Sequence, residues 1–379
     1  TRPCGSAIKP IAVYAPALDT GVITPATVLD DYPVRLQANE NGTEKAWPKN
    51  SHSGYKGLIT LKTALRVSTN TTAVRVLEAL SPSVSYDFMT QNLGFTTLVN
   101  SDLNSAALGL GGLTYGVNTV EMAAAYSAFA NNGVYTRPRT YIEVRDNKGN
   151  LVLENKQESW VAMKESTAYS INELLKGVVR SGTGTEAAFS GMTIAGKTGT
   201  TSSNYDRYFV GYTPYYTAAV WIGYNHNASI RANGNPAAQL WKKVMSEAHE
   251  NLPNQNFNGS TADMTQVTVC TRTGLLQGPG CTDVQTVWVA ASNAPALVCD
   301  GHVAVNLCTE SGKLATEYCP AECVQSVNAI DFTTENLTAA WGYERTTILL
   351  PLSAAEYEAY AAQQAADPTF VIPAGKPVQ

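Results

Sequence analysis

The sequence has few charged residues and no long apolar run, and these two absences exclude several classes of protein. Charged residues make up 15% of the 379 residues, and the net charge of −5 is spread without long runs of one sign. Proteins that bind nucleic acid or anionic membranes usually carry a basic patch, so the sequence argues against both as partners. No run reaches the roughly 18 apolar residues that a membrane-spanning helix requires.

The chain also lacks an initial methionine and a signal peptide, since it begins at Thr1. We therefore expect a piece excised from a longer protein. Its length favours two domains, and its 44% of hydrophobic residues is enough to build a sizeable core.

Cysteine is almost absent from the first two thirds of the chain, where Cys4 stands alone. Six cysteines then follow in one late stretch: Cys270, Cys281, Cys299, Cys308, Cys319 and Cys323. An even cluster in a chain of low charge predicts disulfides and an oxidising compartment. Zinc is the alternative, but His302 is the only histidine nearby and no Cys-x-x-Cys pair occurs. The sequence therefore favours disulfides, with no metal and no cofactor.

Residue periodicity predicts helices followed by an antiparallel meander. Apolar residues recur with helical spacing over 72–80 and 166–179, and Asn118 with Glu121 predicts the start of another helix that ends at Gly133. Residues 141–154 alternate around a turn, as in a hairpin. Three strand-like runs follow at 192–201, 207–214 and 216–225. We expect an α+β fold, an antiparallel sheet with helices packed on it.

Three short motifs carry candidate chemistry. Ser6-x-x-Lys9 places a hydroxyl and an amine on one helix face. The same spacing at Ser53 and Lys56 is flanked by glycines and predicts a surface loop. Ser68-x-Asn70 and Lys197-Thr198-Gly199 then follow in the chain. In this order the three motifs are typical of penicillin-binding proteins and related β-lactamases.

The surrounding residues extend this likeness. GSAIKPIAVYAPALD, LKTALRVSTNTTAVRVL, YGVNTVEMAAAYSAFANNGVYTRP and GKTGTTSSNYDRYFVGYTPYYTAAVWIGYN resemble the transpeptidase domain of class A penicillin-binding proteins over roughly residues 1–248. The later CTESGKLATEYC resembles a stretch that follows this domain in Gram-positive members. The resemblance implies the family's sheet with helices on both faces. We expect its first two strands, the upstream glycosyltransferase domain and the membrane anchor to be missing here.

The resemblance also implies a mechanism. Ser6 would attack the penultimate D-alanine carbonyl of a peptidoglycan stem peptide and Lys9 would take its proton. Since roughly one lysine in 2,500 is neutral at pH 7, Lys9 must be desolvated or lie near another positive charge, which Lys197 would supply. Ser68 would relay a proton and Asn70 would bind the substrate amide.

Substrate-binding residues follow from the same resemblance. The amides of Ser6 and Thr200 would form the oxyanion hole, and Lys197, Thr198 and Thr200 would hold the terminal carboxylate, beside Gly199. An amine of a second stem peptide would accept the acyl group, and β-lactams would trap Ser6. We expect a bacterial, extracytoplasmic protein that reaches a membrane only through its missing anchor. A D,D-carboxypeptidase, a β-lactamase, or a β-lactam-sensing or scaffold domain without turnover remains open.

Composition and an internal repeat divide the whole chain into four predicted segments. We expect the transpeptidase domain over 1–250, a linker over 251–262, a Cys-rich extension over 263–365 and a tail over 366–379. VTVCTRTGLLQGPGC matches VNLCTESGKLATEYC, each with a Cys pair bent at Gly274 or Gly312. A strand, a turn and a return strand would bring each pair to disulfide distance. The predicted bonds are Cys270–Cys281, Cys308–Cys319 and, by elimination, Cys299–Cys323, with Cys4 free.

Overall fold

A computed structural model describes residues 1–38, 44–309, 314–315 and 319–331 of the chain. The chain divides into two compact units. Unit 1 comprises Thr1–Val267 and Val287–Ala294, and unit 2 comprises Thr268–Thr286 and the residues from Pro295 onward. The predicted tail over 366–379 and the part of the predicted extension beyond residue 331 lie outside the described residues.

The described residues contain eight α-helices and fifteen strands, besides short 3₁₀ and π segments. The helices are α1 (Ala15–Thr20), α2 (Leu61–Arg66), α3 (Asn70–Leu80), α4 (Pro82–Asp87), α5 (Ser105–Leu110), α6 (Thr119–Ala130), α7 (Glu165–Ser181) and α8 (Pro236–Ala248). The strands are β1 (Val28–Asp31), β2 (Arg35–Ala38), β3 (Glu44–Trp47), β4 (Gly57–Thr60), β5 (Val134–Thr136), β6 (Glu143–Arg145), β7 (Leu151–Glu154), β8 (Ser159–Val161), β9 (Ala195–Thr200), β10 (Asp206–Tyr212), β11 (Thr217–Gly223), β12 (Met264–Cys270), β13 (Val284–Ala290), β14 (His302–Cys308) and β15 (Val324–Ile330).

The central sheet of unit 1 is antiparallel, in the order β11-β10-β9. Side chains of β10 alternate between two hydrophobic clusters. Tyr208, Val210 and Tyr212 face the larger core, which α6 and α7 also line, whereas Phe209 packs with Trp241 of α8 on the other face. The predicted antiparallel sheet with helices on both faces is therefore present.

Other predicted elements of unit 1 are also found. Helices α3 and α7 cover the two periodic segments, and α6 begins as its cap predicts, with the Asn118 side chain accepting a hydrogen bond from the Glu121 amide at 2.8 Å. Strands β6 and β7 form the hairpin expected over 141–154. The segment containing Ser53 and Lys56 is a loop with exposed side chains, as its glycines indicate.

The helix that carries Ser6 and Lys9 is not a regular α-helix. A 3₁₀ segment, Gly5–Ile8, passes into a π segment, Pro10–Tyr14, and then into α1. Pro10 has no N–H to donate to the Ser6 carbonyl, and the Lys9 amide takes that carbonyl instead. Residues three apart eclipse in a 3₁₀ turn, which places Ser6 directly before Lys9 on one side of the helix.

The residues predicted as a linker, 251–262, contain no helix or strand and belong to unit 1. Asn254 accepts a hydrogen bond from the Thr193 amide at 2.9 Å, the Ser260 amide donates to Glu165 at 2.8 Å, and Phe257 packs against the core. In the part of the chain that the structure describes, no helix is long and apolar enough to cross a bilayer.

The internal repeat builds two strand pairs, β12 with β13 and β14 with β15. The predicted disulfides are not confirmed, because no disulfide bond occurs among the described residues. The main partner of β12 is β13, which begins after Cys281, so Cys281 lies in the connecting segment and not opposite Cys270 on a return strand. The turn predicted at Gly312 lies outside the described residues.

Candidate active site

The first predicted motif is held against the core of unit 1. The Tyr126 hydroxyl donates a hydrogen bond to the Ala7 carbonyl at 2.6 Å, between the two residues of interest. Ser6 is partly exposed, whereas Lys9, one turn later, is 0% exposed. This arrangement presents a hydroxyl at the surface with a fully desolvated amine behind it.

The Lys9 amine is surrounded by oxygen atoms of the second motif. Its Nζ lies 2.8 Å from the Ser68 carbonyl, 3.4 Å from Ser68 Oγ, 3.1 Å from the Thr69 carbonyl and 2.6 Å from Asn70 Oδ1. Asn70 in turn donates from Nδ2 to the Lys49 carbonyl at 2.7 Å. An amide NH₂ carries two hydrogens, so one remains for a substrate carbonyl.

Ser68 joins the two lysines. Lys197 Nζ donates to Ser68 Oγ at 2.9 Å and to the Thr198 carbonyl at 3.1 Å, and the same Oγ lies 3.4 Å from Lys9 Nζ. Ser68 lies between α2 and α3 with a φ of 61°, in the left-handed region that non-glycine residues seldom occupy. Such a conformation costs of order 1–3 kcal/mol and is typical of functional sites.

Burial lowers the pKa of both lysines, so that each loses its proton more readily than an exposed lysine does. The pKa of Lys9 is lowered well below its ordinary value of 10.5, first because the amine is desolvated and second because Lys197 lies nearby. Burial also lowers the pKa of Lys197, to about 7. None of the ion pairs found among the described residues includes either lysine. A neutral amine is therefore accessible at ordinary pH.

The third motif lies on β9, directly against the helix of Ser6. A Cβ atom built on Gly199 would lie 2.0 Å from the Cys4 carbonyl oxygen, and one built on Gly5 would lie 2.4 Å from the Thr200 carbonyl oxygen. Gly5 also has a φ of +53°, which favours glycine. Bare backbone at both positions lets the main chain of Thr200 lie beside the start of the Ser6 helix.

The two threonines of this strand differ in their surroundings. Thr198 is 8% exposed and its hydroxyl lies 2.8 Å from that of Thr183, whereas Thr200 is exposed and accepts a hydrogen bond from Arg207 at 3.1 Å. Thr183 was not predicted as a site residue. It lies in a short Gly-Thr-Gly run and is not part of any recognisable catalytic motif. The sequence alone therefore did not identify it.

Sequence reasoning also missed the polar residues that hold Asn70 in place. Asn50 Oδ1 accepts the Asn70 amide hydrogen at 2.8 Å, and Asn50 Nδ2 donates to the buried carboxylate of Asp31 at 2.7 Å. The Thr71 hydroxyl donates to the same Asp31 oxygen at 2.6 Å. These partners are distant in the chain, so no local pattern identifies them.

Cys4, two residues before Ser6, is buried and outside this network. Burial raises the pKa of its thiol to about 12, so the thiolate that would be needed for nucleophilic or redox chemistry does not form at ordinary pH. As predicted, Cys4 is a free thiol.

The structure thus joins Lys9, Ser68, Asn70 and Lys197 in one hydrogen-bond network, one helical turn from Ser6. Thr198, Gly199 and Thr200 follow Lys197 on β9. The family model for the penicillin-binding protein transpeptidase domain matches residues 1–246, most of unit 1. The chain belongs to the penicillin-binding protein transpeptidase family.

Individual relatives agree with this family. Penicillin-binding protein 1A of Clostridium acetobutylicum is 41% identical over 256 residues, which are 66% of this chain and 31% of that protein. Penicillin-binding protein 1A of Clostridium botulinum strain Hall is 33% identical over 334 residues, 86% of this chain and 40% of that protein. The chain therefore spans less than half the length of these two curated relatives.

Among solved structures, penicillin-binding protein 1A of Haemophilus influenzae has a similar fold. Its TM-score is 0.66 at 21% identity, over 78% of this chain and 48% of that one. At this identity the likeness establishes the transpeptidase fold alone.

Proposed function

We propose that the chain is a serine D,D-transpeptidase that cross-links peptidoglycan stem peptides and is acylated by β-lactams. The observation that carries the proposal is the pair of fully buried lysines sharing the Ser68 hydroxyl one helical turn behind a partly exposed serine. Burial without an acidic partner stabilises the neutral amine, which is the form that can accept a proton from a serine hydroxyl.

In the first half-reaction the Ser6 hydroxyl attacks the penultimate D-alanine carbonyl. The bond from Ser6 Oγ to that carbon forms while Lys9 takes the proton. The oxyanion that develops is bound by the main-chain amides of Ser6 and Thr200, which bare Gly5 and Gly199 allow to approach each other. The carbon–nitrogen bond to the terminal D-alanine then breaks, and Ser68 passes the proton from Lys9 to the departing nitrogen.

In the second half-reaction an amine of another stem peptide attacks the Ser6 ester. The amine nitrogen forms the new amide bond, its proton returns through Ser68 and Lys9, and Ser6 recovers its hydroxyl. Asn70 donates its remaining N–H to the substrate amide, and Lys197 with Thr198 and Thr200 binds the terminal carboxylate. Because cross-linking takes place in the cell wall, the proposal places the protein on the extracytoplasmic side of the membrane.

A D,D-carboxypeptidase, or a β-lactam-sensing or scaffold domain, would use the same acylation step. They differ in what removes the acyl group: water for a carboxypeptidase, and nothing for a sensor. The family membership of unit 1 favours transpeptidation over these two alternatives.

The first test is covalent labelling of the full chain with a fluorescent penicillin. We expect one label, mapped by peptide mass spectrometry to Ser6 and lost in Ser6→Ala. Ser53→Ala is the matched control, since it removes the serine of the second Ser-x-x-Lys sequence and should label fully. Label that persists in Ser6→Ala contradicts the assignment.

A second measurement separates the three activities. The chain is incubated with a stem peptide ending in D-Ala-D-Ala and with an amine acceptor, and both free D-alanine and cross-linked product are quantified. A transpeptidase yields both, a carboxypeptidase yields D-alanine without product, and a sensor yields neither beyond one turnover. Either of the last two outcomes refutes transpeptidation.

A further inference from the structure

Three cysteines and a histidine of unit 2 converge on one point. The Sγ atoms of Cys270, Cys281 and Cys299 and a ring nitrogen of His302 all lie within 4.8 Å of one another. Cys270 Sγ is 3.2 Å from His302 Nε2. Around a tetrahedral zinc ion, with bonds of about 2.3 Å to sulfur and about 2.0–2.1 Å to nitrogen, ligand atoms are about 3.5–3.8 Å apart. The four atoms are therefore close enough for one tetrahedral ion to bind all of them after side-chain shifts of about 1 Å or less.

The backbone of unit 2 is shaped to bring these residues together. After Cys270 the chain turns at Gly274, with a φ of +77°, and the Cys299 amide donates to the Leu276 carbonyl at 2.8 Å. A Cβ atom on Gly278 would lie 1.9 Å from the Cys299 carbonyl oxygen, and one on Gly280 would lie 2.5 Å from the His302 Cβ atom. A side chain at Gly278 or Gly280 would collide with Cys299 or His302. The two glycines therefore allow Cys281, Cys299 and His302 to come together.

A second layer of contacts orients the histidine. His302 Nδ1 lies 3.0 Å from Asn328 Oδ1, and Asn328 Nδ2 donates to the Gly280 carbonyl at 3.1 Å. The bond to Gly280 fixes the Asn328 amide with its oxygen toward the ring, so the histidine proton lies on Nδ1. The lone pair of Nε2 then points toward the sulfur atoms, as in histidines that bind zinc.

Backbone amides point at two of the sulfur atoms. The Arg272 amide lies 3.4 Å from Cys270 Sγ, and the Gly278 amide lies 3.3 Å from Cys281 Sγ. Such N–H groups stabilise negative charge on sulfur, which a thiolate ligand carries and a disulfide does not.

The described part of unit 2 buries few apolar residues. Besides Val269 and Cys308, the buried hydrophobic residues described there form one cluster of Cys270, Leu275 and Cys299, with a few partly buried neighbours. Two of these three buried residues belong to the four-residue cluster. A module with so small a core usually needs a covalent or metal crosslink, and the free energy of metal binding then becomes free energy of folding.

We propose that Cys270, Cys281, Cys299 and His302 bind one zinc ion that holds unit 2 together. Thiolate and imidazole ligands in a tetrahedral arrangement select zinc over harder cations, which prefer oxygen. Four protein ligands leave no open position for water or substrate, so the site is structural and does not take part in catalysis. Binding releases the protons of those cysteines that are thiols in the metal-free chain.

The zinc site explains more of unit 2 than a disulfide does. A Cys270–Cys281 bond would leave Cys299 buried beside it, and it would give no role to His302, to Asn328 or to the two glycines. Sulfur atoms joined in a disulfide lie about 2.05 Å apart, and no pair of cysteines within the described ranges is bonded.

The test measures metal in the full chain, purified under reducing conditions and supplied with zinc. We expect one zinc bound per chain through the cluster. Replacement by Co²⁺ should produce the intense visible and thiolate charge-transfer absorption of a tetrahedral thiolate site. Cys299→Ser and His302→Ala should weaken zinc binding at least tenfold, whereas His302→Cys should retain it. The matched control is Cys4→Ser, which removes a thiol of unit 1 and should bind zinc as the parent does.

Two further readouts keep the result independent of misfolding. Asn328→Leu leaves all four ligands in place and should weaken zinc binding by about tenfold or more, with Asn328→Asp retaining it. A chelator should expose residues 268–331 to limited proteolysis, and added zinc should restore protection. A stoichiometric Cys270–Cys281 disulfide in exported protein overturns the proposal. Zinc binding that Cys299→Ser and His302→Ala leave unchanged, or no zinc in a chain folded by circular dichroism, overturns it equally.

Discussion

Lys9 and Lys197 show how the site obtains a base from a side chain that is normally protonated. Both amines are fully buried, and their hydrogen-bond partners among the described residues are neutral oxygens. Moving an ammonium out of water costs free energy unless an opposite charge compensates it, so the protein stabilises the neutral form. The same desolvation that would let a lysine act as a base therefore makes its burial unfavourable for folding.

Ser68→Ala removes the one hydroxyl that bridges the two lysines. We expect acylation by penicillin to slow by about a hundredfold, roughly 3 kcal/mol of transition-state free energy, because proton transfer loses its relay. Stopped-flow or gel-based labelling rates measure the change. Ser83→Ala removes an exposed hydroxyl on α4 and should acylate at the parental rate. If Ser68→Ala does so as well, the proposed relay is wrong.

Lys197→Met tests the electrostatic coupling between the amines. The rate of acylation should fall as the pH is lowered, because protonated Lys9 cannot accept the proton of Ser6. Positive charge on Lys197, whose pKa is about 7, lowers the pKa of Lys9. Removing that charge raises the pKa of Lys9, so the acid limb of the pH–rate profile should move to higher pH.

Lys197→Arg is the control for this shift, since it keeps a positive charge near Lys9. Its acid limb should not move to higher pH, whatever its absolute rate. An acid limb in Lys197→Met at the parental position would show that the charge of Lys197 does not reach Lys9.

At the scale of elements, the decisive contact is that between β9 and the helix of Ser6. The strand contributes Lys197 and the main chain of Thr200, and the helix contributes Ser6 and Lys9. They approach closely only because Gly5 and Gly199 carry no side chain. The network of Asn50 and Asp31 fixes the start of α3, and with it Asn70, on the opposite side.

Gly199→Ala should separate this strand from the helix. The added Cβ would lie 2.0 Å from the Cys4 carbonyl oxygen, and backbone cannot move aside as a flexible side chain does. We expect acylation to slow at least tenfold, because a displacement of about 1 Å in a catalytic group can cost a hundredfold.

Gly112→Ala is the matched control, since a Cβ atom built there meets nothing within 4 Å. It should acylate normally. Unchanged acylation in Gly199→Ala would mean that the approach of strand and helix does not set the geometry of the site.

At the scale of the whole molecule, the two units draw on different sources of stability. Unit 1 buries an extensive hydrophobic core, whereas the described part of unit 2 buries only five hydrophobic residues and holds the proposed zinc ligands. The two lysines proposed to act in catalysis belong to unit 1, whose core must offset the free-energy cost of burying them.

The free-energy cost of burying Lys197 should make the free energy of unfolding depend on pH. Its pKa falls from 10.5 to about 7 on folding, so the unfolded chain binds more protons between these values. The penalty is full below about pH 7 and fades as pH rises toward 10.5. Lys197→Met should therefore gain stability relative to the parent at pH 7, and this gain should shrink by roughly 1 kcal/mol per pH unit toward pH 9.

Denaturant unfolding of both proteins across this range measures the difference. The exposed Lys56→Met should differ from the parent by an amount that does not depend on pH. A pH-independent difference for Lys197→Met would indicate that Lys197 keeps its proton in the folded protein.

Much of unit 1 could be predicted because its signals are local. Helices α3, α6 and α7 and the strands β9 to β11 follow from apolar periodicity, caps and turns, which involve residues a few positions apart. The three motifs could be recognised because each is a short spacing of chemically distinct residues. The disulfide pairing is not confirmed. The chain turns back after Cys270, with Val269 opposite Leu276, but Cys270 and Cys281 are not bonded. Their sulfur atoms lie beside that of Cys299, and His302 is the fourth member of the group.

The sequence by itself determined the family, the order of the main elements and the side chains available for chemistry. The tertiary structure alone decided which atoms meet. Desolvation of Lys9 depends on residues 59 to 61 positions away, and the bracing of Asn70 depends on Asn50 and Asp31. The convergence of Cys270, Cys281, Cys299 and His302 depends on two glycines and a turn. Burial, electrostatic coupling and ligand geometry are functions of distance in space, and spacing along the chain does not fix that distance.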